Sequence, residues 1–220
     1  MTLSNSQITK LGDRLRDSEL SENDLTMLDE FRQTFSDVDE QAYKIIRDTL
    51  VKFDDLTITK RKRKTQQSIV EKLKRQPKLR LPQMQDIAGC RIVIEGGTQR
   101  AQNVNSVLEK AFEQQQWQIE SKDRDEHGYH AIHIIVKMDA KFYEIQLRTY
   151  AQDVWANLVE SLSDEKNTLK YGGSVQEQGV MTQLKTLADE FSKIDKLAHE
   201  ATFTAYQQHI EEAIRHVLSH

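Results

Sequence analysis

The middle of the chain constrains the fold most, because the spacing of its apolar residues changes there from helical to strand-like. Residues 90–94 are Cys-Arg-Ile-Val-Ile and are followed closely by two glycines, which predicts a buried strand. One helix and then three strands are predicted next, at 99–114, 117–124, 130–138 and 142–149. A hairpin turn at 139–141 joins the last two strands. This order, with helices on both sides, predicts an α/β (α+β) layered domain.

Helical periodicity fills both ends of the chain. Helical regions are predicted at 5–17, 22–53, 68–75, 150–162 and, after a break at Tyr171-Gly172-Gly173, up to the C-terminus. Ser21 and Ser36 are candidate N-caps within the second region. We expect three parts: an N-terminal helical region (1–55), a core (56–173) and C-terminal helices (174–220).

Composition excludes several classes of protein. The chain has 220 residues, a net charge of −4 and one cysteine, Cys90, so an intramolecular disulfide framework is excluded. It lacks the run of about 18 apolar residues that a membrane helix needs. The N-terminus also lacks the pattern of a signal peptide, so we expect a cytoplasmic protein without a membrane partner.

Positive charge is concentrated in one stretch of this acidic chain. Residues 60–80 contain ten basic residues and one acid, Glu71. Such a block is either a solvated helix face or a surface that attracts phosphates of nucleotides or nucleic acid. Its concentration in one place favours phosphate.

Two carboxylates stand in apolar strand contexts. Asp86 precedes the first strand and Glu144 lies within the last one. Carboxylates on neighbouring strands can form a Mg²⁺ site whose remaining ligands are substrate phosphates. The alternative is that Glu144 faces solvent, in alternation with Ile145 and Leu147.

Three histidines follow at 127, 130 and 133, but residues three apart in a strand point to opposite faces and do not converge on one ion. His133 is better interpreted as a partner of a phosphate or hydroxyl. Tyr129 suits stacking on a base, although core packing is the commoner role of a tyrosine. The sequence contains no Walker-type glycine loop and no GxGxxG motif.

Four motifs occur in a characteristic order: SIVEKLKR after the basic stretch, MQDIAGCRIV, HGYHAIHIIV and EIQLRTYAQDVWA. Together they cover about residues 55–173 and resemble the synthetase domain of RelA/SpoT-type alarmone synthetases, in particular the small, single-domain group. The resemblance implies a mixed, nucleotidyltransferase-like β-sheet flanked by helices, with helical N- and C-terminal extensions.

The resemblance also implies an activity and a site. The family transfers the β,γ-pyrophosphate of ATP to the ribose 3′-hydroxyl of GDP or GTP. Mg²⁺ is implied as the cofactor, bound by Asp86, with Glu144 either completing the metal site or accepting the proton of the hydroxyl. ATP binding is implied for Lys62, Lys64, Lys72 and Arg91. Acceptor binding is implied for Arg124, Tyr129, His133, Gln146, Arg148 and Asp153, with Tyr129 stacking on guanine and Asp153 at its edge.

Two positions depart from the family pattern. Lys62 stands where an arginine usually stacks on adenine, and an ammonium lacks that planar surface. Arg61 or Arg63 is available as a substitute. His130 stands where an arginine is common, and Lys122 or Arg124 can supply the missing charge.

Other readings stay open. Some toxic relatives modify the 3′ end of tRNA or make adenosine alarmones, and a catalytically inactive nucleotide-binding relative is a third possibility. The chain has no His-Asp dipeptide, so the hydrolase activity of the long family members is not expected. A homo-oligomer, dimer or tetramer, is compatible with the acidic terminal helices.

Overall fold

The central strands and the helices around them are defined in a computed structural model. It describes residues 3–17, 20–126, 129–162, 178–198 and 202–218, and within these ranges all side chains except those of residues 124–130 and 218. Tyr171-Gly172-Gly173, where the sequence predicts a break between helices, lies outside the described residues.

Five strands form one mixed sheet. In chain order they are β1 (Leu56–Lys60), β2 (Gly89–Ile94), β3 (Gln118–Glu126), β4 (Tyr129–Met138) and β5 (Lys141–Thr149). The spatial order is β1-β2-β5-β4-β3. Only the β2–β5 pair is parallel, and the other three pairs are antiparallel. The mixed sheet and its flanking helices confirm the predicted fold class.

Strand β1 is not among the predicted strands. Its five residues, Leu-Thr-Ile-Thr-Lys, alternate apolar and polar, which is a strand pattern. The run is short, lies at the edge of the sheet and leads directly into the basic stretch. Its alternation of apolar and polar residues is therefore too brief to stand out from the charged residues that follow. β4 and β5, in contrast, were predicted to within one residue, and Asp139 in their turn has a positive φ of 53°.

Helices cover the sheet and extend beyond it. They are α1 (Asn5–Asp17), α2 (Glu22–Gln33), α3 (Ser36–Leu50), α4 (Gln66–Arg75), α5 (Thr98–Gln114), α6 (Tyr150–Leu162), α7 (Gln178–Leu197) and α8 (Phe203–Leu218), with a short 3₁₀ turn at Leu81–Gln83. The predicted single region at 22–53 is therefore two helices. Ser21 caps α2 by accepting from the Asp24 N–H, whereas Phe35, rather than Ser36, is the N-cap of α3.

Buried apolar residues form two clusters. The first joins α1, α3, α4 and α5 to one face of the sheet, and the second lies among α6, α7 and α8. Because α6 begins at the residue after β5, this helix connects the two clusters. Among the described residues, no helix is long and apolar enough to cross a membrane.

Candidate active site on the polar face of the sheet

Strand register places the candidate residues on one face of the sheet. Directly opposed residues on neighbouring strands share a face. On β5, Gln146 lies opposite both Arg91 of β2 and His133 of β4, and Glu144 lies opposite Gly89. The other face of β5 carries Tyr143, Ile145 and Leu147, which are fully buried against the first apolar cluster.

Glu144 is buried and surrounded by donors. Only 4% of the residue is exposed, so the alternative that it faces solvent is wrong. His133 Nδ1 lies 2.8 Å from Glu144 Oε1, and Arg61 Nη1 and Gln146 Nε2 donate to Oε2 at 2.8 and 3.1 Å. Burial alone would raise the pKa of Glu144, but hydrogen bonding and charge from His133 and Arg61 outweigh it and lower the pKa to about 2. Both oxygens are therefore engaged.

Asp86 has a different environment. Lys64 and Lys72 place their ammonium groups 3.1 and 2.8 Å from Asp86 Oδ2. The other oxygen, Oδ1, is buried and has no hydrogen-bond partner. Burial and the nearby charge of Glu144 act to raise the pKa of Asp86, but the two lysines lower it overall. An unpartnered buried carboxylate oxygen is costly unless a ligand completes it.

Two arginines share a third carboxylate. Asp153 Oδ1 lies 2.9 Å from Arg148 Nη1 and 3.3 Å from Arg91 Nη1. Its Oδ2 accepts from Asn157 Nδ2 at 3.0 Å. Burial, followed by the charge of Arg148, lowers the pKa of Arg91, and the Arg91 Nε is buried without a partner. In this corner of the site two arginines thus share one carboxylate.

The loop after β1 brings the basic stretch to this face. Its backbone continues the ladder, since Arg61 N donates to Gly89 O and Lys64 N to Ile87 O. Arg32 of α2 holds the loop from behind by donating to Lys64 O at 2.8 Å. A cleft of about 610 Å³ opens beside the loop, lined by Arg32, Gln33, Asp39, Lys60, Arg61, Lys62, Arg63 and Thr65.

Within this cleft the three candidates for the stacking position differ. Lys62 is exposed. Arg61 is paired with Glu144, and Arg63 donates to Gln33 Oε1 at 2.9 Å. Both arginines offered as substitutes for Lys62 are therefore engaged with protein groups, and each would have to move in order to stack on a base.

Gly89 permits the close approach of β2 and β5 next to the carboxylates. A Cβ at this position would lie 2.3 Å from the backbone oxygen of Glu144. Any side chain would force the two parallel strands apart and shift Glu144 relative to Asp86. Steric crowding thus explains why this position of the MQDIAGCRIV motif is a glycine.

The structure brings together most of the residues that the sequence singled out. Three groups form on the polar face, around Asp86, Glu144 and Asp153, from Lys64, Lys72, His133, Gln146, Arg91 and Arg148. The side chains of Arg124 and Tyr129, with that of His130, lie outside the described residues.

Arg61 has a larger part in the site than the sequence predicts. The sequence offers it only as a substitute for Lys62, yet it contacts Glu144 directly. The missing signal was β1, because Thr59 of β1 opposes Arg91 and the alternation then places Arg61 on the same face.

The residues present fit a divalent cation at one point. The described part of the chain contains no group of three or more His, Cys, Asp or Glu residues that could hold a metal ion alone. Asp86 nevertheless offers an unpartnered carboxylate oxygen. Mg²⁺ is commonly bound through one or two carboxylates together with substrate phosphates, so a single such oxygen fits that mode of binding.

Comparison with known proteins finds similarity over the part of the chain that carries the site. Residues 61–167 match a family model described as a region found in RelA / SpoT proteins. This matched part, the RelA/SpoT-type region, is just under half of the chain. That match begins at Arg61 and includes the three groups around Asp86, Glu144 and Asp153, whereas four residues of the cleft precede it: Arg32, Gln33, Asp39 and Lys60.

Individual relatives extend the likeness beyond this region. Uncharacterized proteins of Mycobacterium bovis and Mycobacterium tuberculosis are 31% identical over 162 residues, which is 73% of this chain. The chain spans 59% of the length of those relatives. A Bacillus subtilis protein named GTP pyrophosphokinase YjbM is 28% identical over 144 residues, 59% of this chain and 64% of that protein.

A solved structure shares the fold. The crystal structure of the small alarmone synthetase 1 from Bacillus subtilis aligns with a TM-score of 0.58 and 25% identity. The alignment covers 82% of this chain and 96% of that chain. An alarmone synthetase or a related pyrophosphokinase is therefore the class of enzyme to which the RelA/SpoT-type region is similar.

Proposed function

We propose that the protein transfers the β,γ-pyrophosphate of ATP to the 3′-hydroxyl of GDP or GTP, forming (p)ppGpp and releasing AMP. The observation that carries this proposal is the pair of carboxylates, half-buried Asp86 just before β2 and buried Glu144 on β5, each in contact with cationic side chains. The names of the B. subtilis relatives support the reaction class.

The donor side is formed by the cations nearest Asp86. Lys64 and Lys72 neutralise Asp86 in the described structure. Lys62 lies exposed in the same basic loop, and Arg91, which the family resemblance assigns to ATP, is paired with Asp153. Phosphoryl transfer depends mainly on positioning and on neutralising phosphate charge, so a row of cations beside a carboxylate suits a triphosphate. Arg61 adds a cation that the family resemblance did not assign.

Asp86 would hold Mg²⁺ through its unpartnered oxygen. The bound ion would supply charge neutralisation for the donor phosphates. Glu144 is less suited to binding the metal, since both its oxygens already accept hydrogen bonds.

Glu144 is instead the candidate for accepting the proton of the 3′-hydroxyl. In the reaction a bond forms between the 3′-oxygen and the β-phosphorus, and the bond between that phosphorus and the oxygen of the α-phosphate breaks. The hydroxyl proton passes to Glu144, and AMP leaves. A base with a pKa of about 2 is weak. Moving Arg61 from Glu144 to a substrate phosphate would remove one of the charges that hold the pKa down.

The acceptor would be bound by the other end of the site. Arg148, Gln146 and His133 lie side by side on the sheet and suit a ribose and its phosphates. Tyr129 and Arg124 remain candidates from the family resemblance. A guanine-reading role of Asp153 requires one of its oxygens to leave Asn157 or the two arginines.

One experiment tests the proposal and its alternatives together. The purified protein is incubated with γ-labelled ATP and Mg²⁺ and, separately, GDP, GTP, ATP or deacylated tRNA. Label on GDP or GTP is the expected result. Label on tRNA or an adenine nucleotide would reassign the acceptor, and no label on any of them would indicate an inactive relative. Incubation with labelled (p)ppGpp tests the expected absence of hydrolysis.

A further inference from the structure

The start of α6 is capped by side chains from three elements. The first N–H groups of a helix lack partners within the helix. Here Gln152 N donates to Thr149 Oγ1 at 3.2 Å, and Thr149 N donates to Gln152 Oε1 at 3.0 Å, which is a reciprocal capping box. Ala151 N donates to the hydroxyl of Tyr206, on α8, at 3.1 Å.

Both capping hydroxyls converge on one buried carboxylate of α7. Thr149 Oγ1 donates to Asp195 Oδ2 at 2.8 Å, and the Tyr206 hydroxyl donates to Asp195 Oδ1. Each hydroxyl accepts an N–H of α6 and has a single proton to give. The group at 195 must therefore accept twice and donate nothing, which an ionised carboxylate does and an amide does not.

Burial makes this arrangement costly, which argues that it is not incidental. Asp195 is 3% exposed. Burial raises its pKa to about 6, against the hydrogen bonds from Tyr206 and Thr149 that lower it. The described structure gives Asp195 no cationic partner, and a buried carboxylate of this kind contributes little to stability by itself.

Close packing fixes Asp195 relative to the sheet. A Cβ on Gly97, in the turn between β2 and α5, would lie 1.9 Å from the backbone oxygen of Asp195 and 2.9 Å from the Ala198 Cβ. The end of α7 therefore rests directly on this turn, and only glycine leaves room for it.

The capped turn of α6 carries Asp153, one residue after Gln152. Asp153 is the carboxylate that holds Arg148 and Arg91 on the polar face. A chain of contacts thus runs from α7, through the α6 cap, to the arginines of the site. We propose that Asp195 is a positioning residue for the acceptor side of the site. It acts through the α6 cap on Asp153 and, of the two arginines there, on Arg148, whose Nη1 lies nearer to Asp153 Oδ1 than that of Arg91 (2.9 against 3.3 Å).

This inference rests on the proposed function, and steady-state kinetics of the full chain test it. We expect Asp195→Asn to raise the KM for GDP about tenfold, the size of losing one hydrogen bond to a charged group, with the KM for ATP and kcat changed less than threefold. Tyr206→Phe keeps the carboxylate but removes one donor, and we expect a smaller rise in the same constant. Thr149→Ser retains the capping hydroxyl, so we expect its kinetics to match those of the wild type. Thr186→Val, on the exposed face of α7, is the matched control.

A double-mutant cycle separates positioning from general destabilisation. If Asp195 acts through Asp153, Asp195→Asn adds less than twofold to the KM for GDP when Asp153→Asn is already present. Additive effects, equal rises in both KM values, or a lower melting temperature with unchanged KM would each overturn the proposal. If Asp195→Asn does not fold, Tyr206→Phe decides on the same criteria. A wild type that labels no acceptor would remove the proposed function and this inference with it, whereas an active wild type with unaltered variants removes the inference alone.

Discussion

Asp86, just before β2, and Glu144, on β5, are near enough for the charge of Glu144 to act on Asp86, yet their surroundings are opposite in kind. One oxygen of Asp86 contacts two lysines, and the other has no hydrogen-bond partner. Glu144 is held by the side chains of His133, Arg61 and Gln146, which occupy both of its oxygens. This difference is the basis of the two proposed roles, with the open carboxylate as the metal ligand and the enclosed one as the proton acceptor.

The largest effect should come from removing the charge of the enclosed carboxylate. We expect Glu144→Gln to lower kcat by about 10³-fold or more, because an amide cannot accept the proton or balance Arg61. The measurement is labelled-pyrophosphate transfer with saturating ATP and GDP. Glu120→Gln, exposed on β3 in the same register row, is the control and should keep its activity. Near-normal turnover of Glu144→Gln would contradict the assigned role.

Asp86→Asn tests the open carboxylate. We expect a loss of about 10²-fold or more at low Mg²⁺, with partial recovery as Mg²⁺ or Mn²⁺ is raised, because the metal site is weakened rather than abolished. Asp48→Asn, in a surface ion pair of α3, should show no metal dependence of this kind. A loss that no metal concentration relieves, accompanied by a lower melting temperature, would make Asp86 a structural residue instead.

The pH dependence of stability should also separate Glu144 from an ordinary surface carboxylate. Its pKa is lowered from 4.5 to about 2, so the ionised form favours the folded state. The contribution is fully present above pH 4.5 and is lost as pH falls through about 2. Its size is about 3 kcal/mol at most, from 1.36 kcal/mol per pKa unit. We expect the free energy of unfolding of Glu144→Gln to fall less steeply than that of wild type between pH 4.5 and 2.5, as measured by urea denaturation. Parallel slopes would contradict the depressed pKa.

The smallest effect is expected at the exposed cation of the cleft. Lys62→Ala should raise the KM for ATP about threefold, since a solvent-exposed charge contributes roughly 0.2–1 kcal/mol. Lys62→Arg, which restores the planar group of the family pattern, should lower that KM below the wild-type value. The KM for GDP serves as the internal control. A larger change for GDP than for ATP would place the two nucleotides the other way round.

Much of the site could be predicted from the sequence because its strands are regular. The apolar run of β2 and the pattern of β5 predicted the strands that carry Arg91 and Glu144, whereas the roles of these two residues came from the family resemblance. The burial of Glu144 could not be predicted from the strand pattern. Alternation distinguishes two faces of a strand, but only the helices packed around the sheet decide whether the polar face is open to water.

Two contacts could not be predicted from the sequence because the residues that make them are far apart in the chain. Arg61 reaches Glu144 across 83 residues, and Thr149 reaches Asp195 across 46. Neither pair is marked by local spacing. In α7 the apolar positions, such as Leu184 and Phe191, are typical of a packed helix, but the sequence does not distinguish the buried Asp195 from the exposed Asp189.

The position of β5 in the sheet has a consequence for biosynthesis. It is the last strand to leave the ribosome, yet it lies at the centre, between β2 and β4. Until residues 141–149 are available, β2 and β4 each present an unpaired edge, and such edges invite association with other chains. We therefore expect the nascent protein to be prone to aggregation until then, with its site not yet assembled. Insertion of one strand then closes both edges and brings Glu144 to Arg61 at the same moment.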